Sequence, residues 1–370
     1  MDGTVSTMSV SGETITPVGA LALHKMDNSV NDTYTTLSPT DINTTMVYTS
    51  LKQNPRFFNG VVVSLFMTIG ILGNTLVFCI QHFKCKPTTF SFFVKVLAVL
   101  DLMSCVVTMP IDVVVKTVPN LSSIDMFTAC KTAHYFAYAT SVSSGTVLLL
   151  IAVERYRKIC QPLGRAIEPR LARILCAIAI TVALSVSSLT TMVTGPQTIE
   201  LNWNNRLINL TVCRAEEELK ASPSAIALNV SLFAAFALIL IFLIVFYTMI
   251  CKKLRVQTEK RRSFDDRILD EQGEKRSFAP SEHVTKIFFI VTMVFIVSYL
   301  PHLILLLIRA IQTNKRVYES WERKLYELAY NSPYVNNIAN PIIYSFLSSH
   351  FRQQCKETFG FRRVTCNNAM

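Results

Sequence analysis

Between Ala225 and Cys251 the chain runs 27 residues without one charged side chain, and Ile174–Val193 is equally free of charge. A helix crosses the roughly 30 Å hydrocarbon core of a bilayer in about 20 mostly apolar residues. It must be a helix or a closed barrel, because lipid offers the backbone no hydrogen-bond partner. Five further segments are long enough, giving spans at 57–82, 88–115, 127–153, 172–194, 224–251, 285–310 and 325–347. Composition agrees, since only 16% of the 370 residues are charged where a soluble domain carries about 25%. Hydrophobic content of 51% excludes a mainly disordered chain, and 11 Gly and 10 Cys exclude collagen and disulfide-dense scaffolds.

Basic residues orient the spans. Segments 81–87, 154–173, 252–286 and 351–370 hold 22 Lys and Arg against 10 acidic residues, while the tail and alternate loops hold 13 against 14. Positive charge belongs in the cytoplasm, so the N-terminus reads as extracellular, the C-terminus as cytoplasmic, and the number of spans as odd. Lys95 and Asp101 are counted as left inside the membrane. Glycosylation sequons at Asn31, Asn43, Asn120 and Asn209 all fall on the outer side and none in an inner loop. The expectation is an all-α membrane protein of the plasma membrane. Residues 1–56 form an extracellular tail, 57–350 a seven-transmembrane helix bundle, and 351–370 a short amphipathic helix and cytoplasmic tail. The charged segment 257–281 is expected to be mobile. No repeat of 20–50 residues occurs, so solenoids and propellers fall away.

Short motifs stand at telling places in these spans. Gly73-Asn74 lies in the first and Leu97-Ala-Val-Leu-Asp101 in the second; Glu154-Arg155-Tyr156 ends the third. Phe295-Ile-Val-Ser-Tyr-Leu-Pro301 sits in the sixth, and Asn340-Pro-Ile-Ile-Tyr344 closes the seventh, before Phe351-Arg352. In this order and register the set resembles the rhodopsin-like G protein-coupled receptors over nearly all of residues 57–352. The family's usual Trp in span four is Thr181 here, its Pro in span five is Ile239, and its span-six Cys and Trp are Ser298 and Tyr299. Gly145 occupies the span-three position that faces Ile239 and Phe295 in such receptors.

The resemblance assigns roles. Glu154, Arg155, Tyr156, Tyr247 and Tyr344 correspond to the G-protein coupling switch, against the plainer reading of Arg155 as an arginine reaching for headgroups. Phe295, Tyr299, Pro301, Asn340 and Pro341 correspond to the activation hinge, since proline removes a helix hydrogen bond and kinks the helix. Asp101 is a carboxylate at mid-membrane, costly unless paired or hydrated. With Ser144, Asn336 and Asn340, and Asn74 nearby, it matches the family's Na⁺ site; a protonated Asp101 bridging helices through water is the alternative. Heterotrimeric G protein, an extracellular ligand, arrestin and membrane lipid are the implied partners, and bound Na⁺ is the one cofactor considered.

Topology prunes the cysteines. Only Cys130 and Cys213 face the oxidising side, so they are expected to form a disulfide. Cys355 and Cys366 follow the last span and suit S-palmitoylation, with Phe351, Cys355 and Phe359 on the apolar face of the short helix. Six scattered His give no metal-ligand spacing, and no Walker A, GxSxG or HExxH motif occurs, so the chain does not read as an enzyme. Basic loops beside a membrane face anionic lipid rather than nucleic acid.

For the ligand, amine receptors carry an Asp where this chain has Ala137, and opsins a Schiff-base Lys where it has Pro333-Tyr334. The outer residues Asp112, His134, Tyr138, His302, Arg309, Tyr326, Glu327 and Tyr330, under a loop with Glu216-Glu217-Glu218, are polar and mixed in charge. That set reads as a peptide site, with a lipid or small molecule as the alternative. A transporter or channel would need inverted repeats or broken helices in corresponding halves, and neither is seen in the sequence.

Overall fold

Apolar length decides most of the architecture. The computed structural model describes residues 55–85, 88–117, 123–164, 167–192, 194–203, 206–215, 223–268, 280–311 and 320–358. Helices α1 (Pro55–Phe83), α2 (Thr89–Met103) with α3 (Met109–Thr117), α4 (Ser123–Cys160), α5 (Pro169–Ser188), α6 (Pro223–Ile268) and α7 (Pro280–Ile311) supply six spans. The seventh comprises α8 (Ser320–Tyr330) and α9 (Tyr334–Leu347), and α10 (Ser349–Thr358) follows it. The end of the bundle carrying Arg155 is called inner below.

Two spans are irregular for local reasons. Between α2 and α3 the backbone widens into a π-turn over Ser104–Thr108, with Met109 N–H donating to Ser104 O, five residues back. Pro110 follows at once, has no N–H, and its ring would strike the carbonyl four residues earlier. In the seventh span the bonds tighten instead. Ser332 N donates to Ala329 O, and Tyr334 N to Asn331 O, each three residues back. Pro333 cannot donate and disfavours helix at Ser332. The single span 325–347 is therefore corrected to two helices.

One more expectation changes, and one element is new. The segment after span five is not a mobile loop from residue 257, because α6 continues as helix to Ile268. Arg261 with Asp265 and Arg262 with Asp266 have the i, i+4 spacing that supports a solvated helix. The second outer loop is an antiparallel hairpin, β1 (Thr194–Trp203) with β2 (Arg206–Ala215), Thr194 opposite Ala215 and Trp203 opposite Arg206. Alternation in Thr198-Ile-Glu-Leu-Asn-Trp203 and the pair Asn204-Asn205 were the signals for it. Cys130 and Cys213 form the expected disulfide, tying β2 to the outer end of α4.

The core is the buried face shared by the spans, among them Phe93, Leu97, Leu148, Ile151, Leu243, Phe288 and Phe295. Leu65, Leu72, Ile178, Ile241 and Val297 point outward and exposed, as a lipid solvent requires. Helices α1 and α9 approach closely through glycine. A Cβ on Gly73 would lie 2.8 Å from Pro341 Cβ and Cγ, and one on Gly70 would run into Cys105 Sγ. Small residues at such crossings let backbones meet without a side chain between them. Gly73→Leu should therefore cost about 1–3 kcal/mol through overpacking. Thermal unfolding of the solubilised protein reads this as a lower midpoint, and an unchanged midpoint would contradict the contact.

Candidate functional site

A polar seam runs through the middle of the bundle. Asn336, Asn337 and Asn340 share the inward face of α9, while Asp101 and Ser104 lie three residues apart where α2 enters the π-turn. All five are buried. Asn340 Nδ2 donates to Asp101 Oδ2 at 2.7 Å, and Asn337 Nδ2 to Ser104 Oγ at 2.7 Å. From α1, Asn74 Nδ2 donates to the Asn337 carbonyl at 2.7 Å and to its own Gly70 carbonyl at 3.0 Å. Asp101 Oδ1, Asn340 Oδ1 and Asn74 Oδ1 are buried without a hydrogen-bond partner. Oxygen ligands with one formal negative charge suit a small hard cation. Ser144 is also buried, on α4. Among the described residues no group of three His, Cys, Asp or Glu could hold a metal, so this mixed oxygen set is the candidate cation site.

At the inner end, Glu154 and Arg155 are both buried although charged. Arg155 Nε lies 2.5 Å from Glu154 Oε2, a charge contact off the line of a hydrogen bond. The guanidinium also sits 5.9 Å from the centre of the Phe288 ring, within cation–π range. Tyr247 on α6 is buried and its hydroxyl accepts from Thr292 on α7 at 3.2 Å. Tyr344 on α9 is buried with no partner for its hydroxyl, and its ring meets Phe351 of α10 at 6.3 Å. Tyr156 instead packs on Phe246, 5.5 Å between ring centres, at the α4–α6 contact.

Between seam and outer end lies an aromatic cluster. Phe295 and Tyr299 are 4.5 Å apart, and Phe236 is 5.7 Å and 5.1 Å from them. Tyr299 Oη donates to Ser141 Oγ at 2.8 Å. A Cβ on Gly145 would come 3.1 Å from the tip of Phe295 and 3.5 Å from Ile239, so the missing side chain leaves the room that the ring occupies. Pro301 lies inside α7 two residues beyond Tyr299, and Pro341 inside α9 beside Asn340.

The outer residues divide. Helices α7 and α8 bring together His302, whose Nδ1 is 2.8 Å from the Tyr330 carbonyl, and Tyr326, stacked on Tyr330 at 6.5 Å. Glu327 Oε2 accepts from Asn59 Nδ2 at 2.9 Å, and Asn59 Oδ1 accepts from Asn331 Nδ2 at 2.5 Å. His134 and Tyr138 stack on α4 at 6.4 Å, and Asp112 is half-buried on α3. The side chain of Arg309, the residues Glu216–Glu218, Asn31, Asn43, Asn120, Phe359 and Cys366, and the side chain of Asn209 lie outside the described residues. Cys355 is half-buried on α10, and burial raises its thiol above the ordinary range.

Sequence reasoning missed Asn59, Ser104, Ser141, Thr292, Asn331 and Asn337. Each is a common polar residue inside an apolar run, and only its place on a helix face marks it. Lys95 is a correction, since it does not share the interior with Asp101. It sits half-exposed on the opposite stripe of α2.

Residues 73–344 match the family described as 7 transmembrane receptor (rhodopsin family). The chain is 37% identical over 134 residues to cholecystokinin receptor type A of Homo sapiens, covering 35% of this chain and 30% of that receptor. It is 24% identical over 315 residues to galanin receptor 2a of Danio rerio, covering 83% and 80%. It is 25% identical over 374 aligned positions to the D(1A) dopamine receptor of Xenopus laevis, covering 90% and 79%. Matched sequence thus spans less than a third of the length of the cholecystokinin receptor.

The seam yields a direct energetic test. Interhelical hydrogen bonds in membranes average about 0.6 kcal/mol and reach about 1.7, so Asn340→Ala should lower stability while Asp101→Asn costs less. In a double-mutant cycle read by thermal unfolding, the pair should couple by about 0.5–3 kcal/mol. Additive effects would show that the two side chains act independently.

Proposed function

Since this chain belongs to the rhodopsin family of seven-transmembrane receptors, we propose that it is a plasma-membrane receptor with its N-terminus outside, which binds an extracellular peptide and activates a heterotrimeric G protein. The observation that carries the coupling is the buried Glu154–Arg155 pair over Phe288 at the inner end. A charge pair kept out of water is a two-position device. Arg155 is held by Glu154 at rest, and on activation it is released towards Tyr247, Tyr344 and the G protein, while arrestin engages the same opened face. Pro301 and Pro341 lie where α7 and α9 would bend to open that face.

The seam reports on the same transition. Asp101, Asn340 and Asn74 present donor-free oxygens, and with Ser144 and Asn336 they would hold Na⁺. Bound there, the ion supplies positive charge to a buried carboxylate and favours the arrangement that keeps these oxygens together, which is the resting state.

Support for a peptide comes from the outer end. Ala137 gives an ammonium ligand no carboxylate at that position of span three, although a dopamine receptor is among the relatives. The receptors for cholecystokinin and galanin are named for peptides. The polar cluster of Glu327, Tyr330, Tyr326 and His302 with Asp112 offers partners to a ligand of mixed charge, and the disulfide-anchored hairpin stands at the outer end of α4.

A peptide library applied to cells expressing the receptor, with nucleotide exchange as the readout, tests this reading. An active peptide with a Lys or Arg is expected, and Asp112→Asn with Glu327→Gln should raise its half-maximal concentration at least tenfold, about 1.4 kcal/mol. Arg155→Ala should abolish exchange while binding persists. Full exchange by Arg155→Ala would overturn the switch, and an agonist without a cationic group, indifferent to the outer substitutions, would turn the reading to a lipid or small molecule.

A further inference from the structure

Lys95 has no place in the mechanism above, yet its position is costly. It lies six residues beyond Thr89, the first residue of α2, about 9 Å along the helix at 1.5 Å per residue. The buried face of α2 is Ser91, Phe93, Val94, Leu97, Ala98, Leu100 and Asp101. Lys95 belongs to the other stripe, with Val99 and Met103, which faces lipid. Among the described residues it makes no ion pair and no hydrogen bond.

A helical side chain leans towards the helix N-terminus, and a lysine stem lets the ammonium climb to the interface while its carbons stay in lipid. The destination is identifiable. The turn after α1, with Lys84 and Cys85, precedes the start of α2 at Thr89, so an ammonium leaning towards the N-terminus of α2 leans towards that turn. Cys85 Sγ is 4.0 Å from His350 Nδ1 at the start of α10, and Lys84 beside it is exposed. Cys85 and Lys84 in the turn after α1 and His350 of α10 therefore form one inner corner, towards which the Lys95 stem leans.

We propose that this corner binds an anionic phospholipid, its headgroup phosphate against Lys95 and Lys84, with an acyl chain along Val99, Met103 and Val106. The apolar stripe directly continues the basic corner, which fits a molecule carrying an anion on a hydrocarbon tail better than a free anion. The site is separate from the ligand cluster and the coupling switch, and stands whatever agonist the receptor takes.

The test uses the full chain in nanodiscs of phosphatidylcholine, alone or with phosphatidylserine, so that both leaflets are presented and the orientation of the chain does not matter. Phosphatidylserine should raise the unfolding midpoint of the wild type by about 2–4 °C. Lys95→Met, apolar on a lipid face, should be at least as stable as wild type in phosphatidylcholine and show a smaller rise with phosphatidylserine. Lys95→Arg should keep the wild-type rise. A Lys95→Met variant that gains as much as wild type overturns the site, as does a Lys95→Arg variant that gains nothing. Inorganic phosphate that reproduces the rise in phosphatidylcholine would make it a free-anion site and overturn the lipid assignment. Should Lys95→Met fail to fold, native mass spectrometry of the wild type decides: preferential retention of phosphatidylserine supports the site, and equal retention of both lipids overturns it.

Discussion

A carboxylate buried in the middle of a membrane bundle sets the terms for what surrounds it. An acidic residue at a helix centre costs about 2.5–3.5 kcal/mol on insertion scales, while interhelical hydrogen bonds in membranes average about 0.6 and reach about 1.7. The single bond from Asn340 to Asp101 therefore does not offset the burial. Asp101, Asn340 and Asn74 each keep one buried oxygen without a hydrogen-bond partner, and in the proposed reading one positive ion meets the deficit there. This accounts for the Asn-rich face of α9, which would be a poor choice for a helix that merely had to span lipid.

The seam is also mechanically joined to the inner end. Asn340 is followed by Pro341, which packs against Gly73 with no side chain between, and one turn later comes Tyr344 against Phe351. Rearranging the oxygens around Asp101 must move Asn340, and α9 has no slack at Gly73 to absorb it. Across the bundle, Arg155 rests on Glu154 and Phe288, and Phe288 in turn meets Phe90 on α2 edge-on. Two helices that contribute to the seam thus also border the proposed coupling switch, which is the physical content of proposing that cation and G protein select opposite states.

What the sequence made legible follows from how strong each signal is. Long charge-free runs such as Ala225–Cys251 have few alternatives, so six of the spans could be read directly, and the Cys130–Cys213 bridge is found as expected. Helix spacing alone puts Asn336, Asn337 and Asn340 on the buried face of α9. The misses were of another kind. The break at Asn331–Pro333 and the π-turn at Ser104–Thr108 depend on how a proline's lost hydrogen bond is repaired by its neighbours. The hairpin alternates over only a few residues. Asn59 with Glu327 and Asn331 is a contact between residues nearly the whole chain apart, and no local pattern signals it. Lys95 was misread because charge in a span was assigned to the interior, whereas its helix phase points it to lipid.

Sodium titration of thermal unfolding, at constant ionic strength with choline as the replacement ion, tests the centre of this account most directly. It requires no agonist and no G protein. A cation held by Asp101 and its neighbours predicts that the unfolding midpoint of the wild type rises with Na⁺, by RT ln(1 + [Na⁺]/Kd) of added stability, and that Asp101→Asn is flat across the same range. A wild type indifferent to Na⁺, or an Asp101→Asn variant that responds equally, would contradict it.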